Sequence, residues 1–214
     1  MWGILRPDAV EVLENPRARG ALKRYFEILE GKRQPKVKLC KSVWVDISLN
    51  EPDEVLWEEH ERALKTLPEF DTKGVKKLPE GKTTLLDLKV ELANRIFTKC
   101  IFCERRCEVD RRQKTGNCGV MNTRISSMFH HYGEEPELVP SYTIFFSGCN
   151  FHCQFCQNYD ISQSVTGYEV QPAELAGKLE GVNARNINWV GGSPTPNLNF
   201  ILETLNHYRG NMPS

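Results

Sequence analysis

Residues 143–158 read TIFFSGCNFHCQFCQN. Cysteines stand at 149, 153 and 156, a C-x3-C-x2-C spacing. Three thiolates from one short loop can hold three irons of a [4Fe–4S] cluster. A cluster ligated wholly by protein takes four cysteines, and no fourth follows nearby. One iron is then left open to an outside ligand, and an open coordination position usually means chemistry. The run 143–146 is apolar and β-prone, and Ser147-Gly148 breaks it. The loop is therefore expected at the C-terminal end of a strand, where α/β barrels build their sites. The competing reading is a zinc knuckle, with His152 or another residue as fourth ligand, or chance thiols.

Working outward, a second cysteine group lies upstream. Cys100, Cys103, Cys107 and Cys118 give C-x2-C-x3-C-x10-C, with Gly116 and Gly119 flanking the last thiol. Four thiolates can close a tetrahedral site around Zn²⁺ or ligate an Fe–S cluster completely. Both options stay open, and both are closed sites, unlike the three-cysteine loop. Arg105, Arg106, Arg111, Arg112 and Lys114 either offset thiolate charge or form a solvated basic loop. Seven of the eight cysteines fall in these two clusters. Without an export-signal pattern at the N-terminus, clustering favours metal over disulfides. The expected location is cytoplasmic. Cys40 stands alone and reads as a buried, inert thiol.

Across 214 residues, 28 Lys+Arg balance 28 Asp+Glu. That balance gives no electrostatic case for nucleic acid or an anionic membrane surface. No run approaches the length of a membrane span.

Downstream of the loop, Pro172 opens a helix carrying Ala173, Leu175, Ala176 and Leu179. Residues 186–190 (NINWV) read as the next strand and end in Gly191-Gly192-Ser193. Strand, helix and strand in that order make a βαβ unit with a parallel pair. A last helix is expected over 197–208. Upstream, Asn15-Pro16 gives an N-cap followed by Pro at the first helical position. Residues 8–30 are expected to be helical, with Asp8 capping a short helix and Gly31 ending the run. Residues 32–38 read as a basic solvated loop, 43–47 as a strand, and 51–67 as an amphipathic helix with His60 exposed. Residues 68–82 read as a linker. Thr84 and Asp87 form a capping-box pattern that opens a strong helix to about 97. Residues 121–128 read as a strand leading to His130 and His131, which on extended chain point to opposite faces.

The order of these features resembles the radical S-adenosylmethionine (radical SAM) superfamily. C-x2-C-x3-C…G-x-C-G, then GEEP at 133–136, then TIFFSGCN and CQN, is similar to the branch related to pyruvate formate-lyase activating enzyme. The resemblance covers roughly residues 95–205. It implies that Cys149, Cys153 and Cys156 hold a [4Fe–4S] cluster whose open iron is chelated by the methionine part of S-adenosylmethionine (SAM). It implies that Phe155 packs near the adenine and that the Gly191 and Gly192 backbone meets the SAM amino group, although Ser193 stands where the family has Glu. The implied fold class is α/β, a partial (β/α) radical SAM barrel of two βα units. A mainly helical region (1–98) and a Cys-rich metal-binding segment (99–135) precede the barrel part (136–214). The family has about six such units, so the chain reads as C-terminally truncated, completed by a missing C-terminus or a partner polypeptide. The implied activity is radical SAM enzymology, an oxidoreductase or activase. Its partners would be SAM, an electron donor such as ferredoxin or flavodoxin, and a substrate of open identity, a protein among the options. No general base is assigned. The alternative is a non-catalytic zinc or Fe–S module, or an inactive fragment of such an enzyme.

Overall fold

The computed structural model describes residues 2–73 and 81–214. A three-stranded sheet in the order β1-β2-β3 carries the loop of interest. β2 (Ser141–Phe146) lies in the centre, antiparallel to β1 (Ile125–His131) and parallel to β3 (Asn186–Gly191). Both strands bordering βα connections are those expected from their apolar runs. Thr143, Ile144 and Phe146 are buried, as a strand covered on two faces requires. β1 adds an antiparallel edge, with a bulge between Ile125 and Ser127 opposite the loop end of β2. Phe129 on this edge stacks on Phe145 at 5.5 Å between ring centroids, a cross-strand aromatic pair of the kind that stabilises sheets.

Ten α-helices are described. α1 (Trp2–Leu5), α2 (Pro7–Glu11), α3 (Pro16–Ala21) and α4 (Lys23–Leu29) are short pieces rather than one long helix. Asn15 caps α3 as expected, its Oδ1 accepting from the Arg17 and Ala18 amides. Asp8 does not cap; it lies inside α2 and pairs with Arg6. α5 (Lys36–Ser42) occupies part of the expected basic loop and buries Leu39, Cys40 and Ser42. Cys40 is buried as expected. α6 (Asp53–Lys73) runs through Pro68, which lacks the N–H of an interior helix bond. The expected linker therefore begins later, and residues 74–80 of it lie outside the described residues. The expected strand at 43–47 reduces to a single bridge between Trp44 and Thr84, held by the Val45 amide on Thr83 O and the Leu85 amide on Val43 O.

α7 (Leu85–Thr98) opens on the complete capping box. Thr84 Oγ1 accepts from the Asp87 amide at 3.1 Å, and Asp87 Oδ2 accepts from the Thr84 amide at 2.8 Å. After the sheet begins come α8 (Tyr159–Ser162), α9 (Pro172–Glu180) and α10 (Leu198–His207), the last preceded by a 3-10 turn at Thr195–Asn197.

Two apolar cores meet at α10. Phe200, Ile201 and Leu205 face the sheet with Ile144, Phe146 and Leu175. Leu202 packs instead on the helical core of Leu56, Leu85 and Leu88. Asn206 reinforces this junction by donating to Asp87 Oδ1 at 2.8 Å. The first helices are tied to the sheet by Arg185, which donates to Ala9 O at 2.6 Å and Pro136 O at 2.9 Å. His60, expected exposed, is buried on α6 against Lys89 of α7, Nζ to Nε2 at 2.7 Å. No helix among the described residues is long and apolar enough to cross a membrane.

Candidate iron–sulfur and SAM site

The ends of β2 and β3 are forced together by three glycines. Gly148 has φ +83°, and a Cβ there would sit 2.3 Å from the Val120 side chain and 3.0 Å from Cys118 O. Gly191 has φ +104°, and a Cβ would meet Phe146 backbone at 2.4 Å. A Cβ on Gly192 would lie 2.1 Å from Gly148 O. The Gly192 amide donates to Phe146 O at 2.8 Å, and the Gly148 amide to Ile161 O at 2.8 Å. The Gly-Gly pair thus has a packing reason of its own: only residues without side chains let the β3 end lie on the β2 end.

From that junction the three-cysteine loop emerges toward the surface. Cys149 is buried, Cys156 half-buried and Cys153 exposed. The Phe151 amide donates to Cys149 Sγ at 3.4 Å, and Cys156 Sγ lies 3.4 Å from Ser162 Oγ. Burial pushes the Cys149 thiol up; the Phe151 amide opposes this, while Cys156, Cys153 and Cys118 add to the rise. Phe155 is 90% exposed, with Phe151 and Tyr159 also exposed nearby. Ser147 Oγ and Asn150 Oδ1, either side of Cys149, are buried without a hydrogen-bond partner. Buried polar atoms are nearly always satisfied, and these two flank the first thiol of the loop. Three soft thiol donors on one loop beside such orphans fit an iron–sulfur cluster with a polar co-ligand.

The second cysteine group lies against the first, which the sequence reading did not foresee. Arg105 Nε approaches Asn150 O at 3.5 Å, and Asn117 Nδ2 lies 3.4 Å from His152 Nε2. His152 is also engaged through Nδ1 with Gln163 Oε1 at 2.6 Å. Cys100, Cys103, Cys107 and Cys118 all line one small cavity. Among the described residues, no group of three or more His, Cys, Asp or Glu side chains is arranged as it stands to hold a metal ion. Of the basic residues, Arg112 and Arg106 are solvated, but Arg111 is 1% exposed. A lone interior arginine in a basic run carries no periodic signal, so the sequence could not single it out. His130 and His131 engage different partners, Asn183 O at 3.1 Å and Glu134 at 3.3 Å, and form no joint site.

A sequence model described as the Radical SAM superfamily matches residues 143–207. An uncharacterized protein of Methanocaldococcus jannaschii is 41% identical over 205 residues, covering 90% of this chain and 59% of the relative. The chain thus spans about three fifths of the length of the curated relative it matches. No solved structure matches. The family match begins on the strand that delivers the three-cysteine loop and ends with α10, and it supports the radical SAM superfamily for this chain.

Proposed function

We propose that the chain is a radical SAM iron–sulfur protein in which Cys149, Cys153 and Cys156 hold a [4Fe–4S] cluster. The observation that carries the reading is the loop itself. Three thiols spaced C-x3-C-x2-C leave the end of a parallel strand, beside orphaned buried polar atoms at Ser147 and Asn150. When bound, cluster and SAM would together supply one-electron reductive cleavage to methionine and a 5′-deoxyadenosyl radical, which takes hydrogen from a substrate.

The chain's own residues have definable tasks. Cys149 anchors the buried end of the loop, and the Phe151 amide directed at its sulfur stabilises a thiolate there. Ser162 offers a hydroxyl to Cys156. Ser147 and Asn150 present unspent polar atoms for a ligand's amino or carboxyl group. Phe155, exposed on the loop, is free to cover an adenine ring. Gly191 and Gly192 hold the β3 end against the β2 end from which the three-cysteine loop leaves, and theirs is the backbone that would meet the SAM amino group. The branch related to pyruvate formate-lyase activating enzyme and an electron donor of the ferredoxin or flavodoxin kind belong to the same proposal. Supporting the branch are the upstream cysteines and the 133–136 GEEP turn, where Glu134 accepts from Asn188 of β3 at 3.2 Å.

The test is anaerobic reconstitution of wild type and Cys153→Ala with iron and sulfide. Cys153 is exposed, so the substitution removes a ligand without opening the core. Wild type should retain about four irons per chain and release 5′-deoxyadenosine from SAM under a low-potential reductant. Cys153→Ala should do neither, and full iron retention in that variant would refute the ligand assignment.

A further inference from the structure

We infer that Cys100, Cys103, Cys107 and Cys118 close on a single Zn²⁺ ion that braces the loops at the ends of β2 and β3. This inference does not depend on the function proposed above. Four features of the segment converge on it.

The first is space. The cavity the four thiols share is about 10 Å³, room for roughly one small sphere. That is room for one ion among the four thiols as they stand.

The second is charge. Arg111 is buried with no carboxylate partner among the described residues. Its Nε donates to Val120 O at 2.9 Å and its Nη1 to Pro196 O at 2.6 Å, while the guanidinium lies 4.6 Å from the Phe97 ring centroid. The ionisable group it reaches is Cys100, Nη1 to Sγ at 4.0 Å. A buried, uncompensated cation is strongly destabilising. Zn²⁺ with four thiolates carries two net negative charges and supplies the missing counter-charge.

The third is backbone conformation. Arg106 and Glu108, either side of Cys107, have φ +40° and +52°, the positive-φ residues other than glycine in the described chain. Such conformations are rare for residues with a Cβ and are tolerated where surrounding structure enforces them. Here they turn Cys107 toward the Gly116-Asn117 turn, whose Asn117 amide donates to its sulfur at 3.4 Å. A Cβ on Gly116 would lie 3.1 Å from that sulfur.

The fourth is position. The segment touches both strand-end loops: Arg111 holds Pro196 after β3, and Cys118 O and Val120 wall Gly148 after β2. Binding the ion thus fixes the floor from which the three-cysteine loop rises. A structural zinc site of this kind is closed and redox-inert.

The test uses the full chain carrying Cys149→Ala, Cys153→Ala and Cys156→Ala together, which removes the other thiol loop. Purified from zinc-supplemented medium, it should hold about one zinc per chain and no iron after reconstitution. Co²⁺ exchanged into it should give the intense absorption of a tetrahedral all-thiolate centre. Adding Cys118→Ser should abolish or shift that absorption, and Arg111→Met should weaken zinc binding in chelator competition by about 10- to 100-fold. Iron at cluster stoichiometry in the triple variant would overturn the inference, as would absence of metal or a weak octahedral Co²⁺ spectrum. If the Cys118→Ser chain does not fold, the Co²⁺ spectrum of the triple variant still decides the ligand set. Because that variant lacks the other thiols, its result is independent of whether the wild type binds a cluster or SAM.

Discussion

Replacing Gly192 by alanine puts a methyl group where backbone already lies. Its carbon would stand 2.1 Å from Gly148 O, against 3.4 Å for an ordinary contact. The two strand ends must therefore part by about 1.3 Å, the difference of those distances. Neither partner is a flexible side-chain tip; both are backbone, and both are tethered. The Gly192 amide is bonded to Phe146 O and the Gly148 amide to Ile161 O, each at 2.8 Å. Overpacking of this kind costs about 1–3 kcal/mol, and losing the Gly192 bond adds ~1 kcal/mol. The reduced freedom of the unfolded chain returns about 0.4–1 kcal/mol. The net expectation is a loss of about 1–3.6 kcal/mol, which for a chain of this size lowers Tm by roughly 2–14 °C. Circular-dichroism melts of the metal-free protein read this directly. Gly177→Ala is the matched control: it sits inside α9 with nothing within 4 Å of the added carbon, and should raise stability by up to ~1 kcal/mol. A Gly192→Ala protein that melts with the wild type, while Gly177→Ala behaves as stated, would refute the close packing of β2 and β3 ends.

Two further outcomes are expected. Thr84→Ala removes the cap of α7 and leaves the Asp87 amide without its acceptor; urea unfolding should show a loss of about 0.5–2 kcal/mol. His60 is buried beside Lys89 and Trp57, with Glu61 at 3.5 Å, and desolvation first, then the Lys89 charge, lowers its pKa from 6.5. A folded-state pKa below the unfolded one means that stability is full above about pH 6.5 and lost as pH falls through the folded value. Urea midpoints should decline below pH 6.5 in wild type and decline less in His60→Gln. Parallel curves for the two proteins would show that His60 does not titrate against this buried surface.

How much was legible varied with the kind of signal. The β2 run, the β3 run and the Thr84 box were readable because local chemistry and tertiary burial agree there. α5 was hidden by its lysines, although Val37, Cys40 and Val43 recur at helical spacing; Lys36 is exposed and Lys41 donates to Tyr208 O, while Cys40 and Val43 pack into the helical core. Residues 43–47 alternate like a strand, yet only Trp44 finds a partner in Thr84, since alternation does not supply a neighbouring strand. His60 looked exposed on a charged helix, and only the packing of α6 on α7 buries it. The contact between the two cysteine groups arises from Val120 and Cys118 meeting Gly148, far apart in sequence and without a shared pattern. The same is true of Arg111, whose acceptors Val120 O and Pro196 O are backbone atoms that no motif announces.

The most direct test of the three-cysteine loop as a SAM-binding cluster site is electron paramagnetic resonance of the anaerobically reconstituted, reduced protein before and after SAM is added. An open iron next to Cys149, Cys153 and Cys156 predicts a cubane signal whose g-values shift on SAM addition, absent in Cys153→Ala. A signal that ignores SAM, or one that survives Cys153→Ala unchanged, would contradict the account.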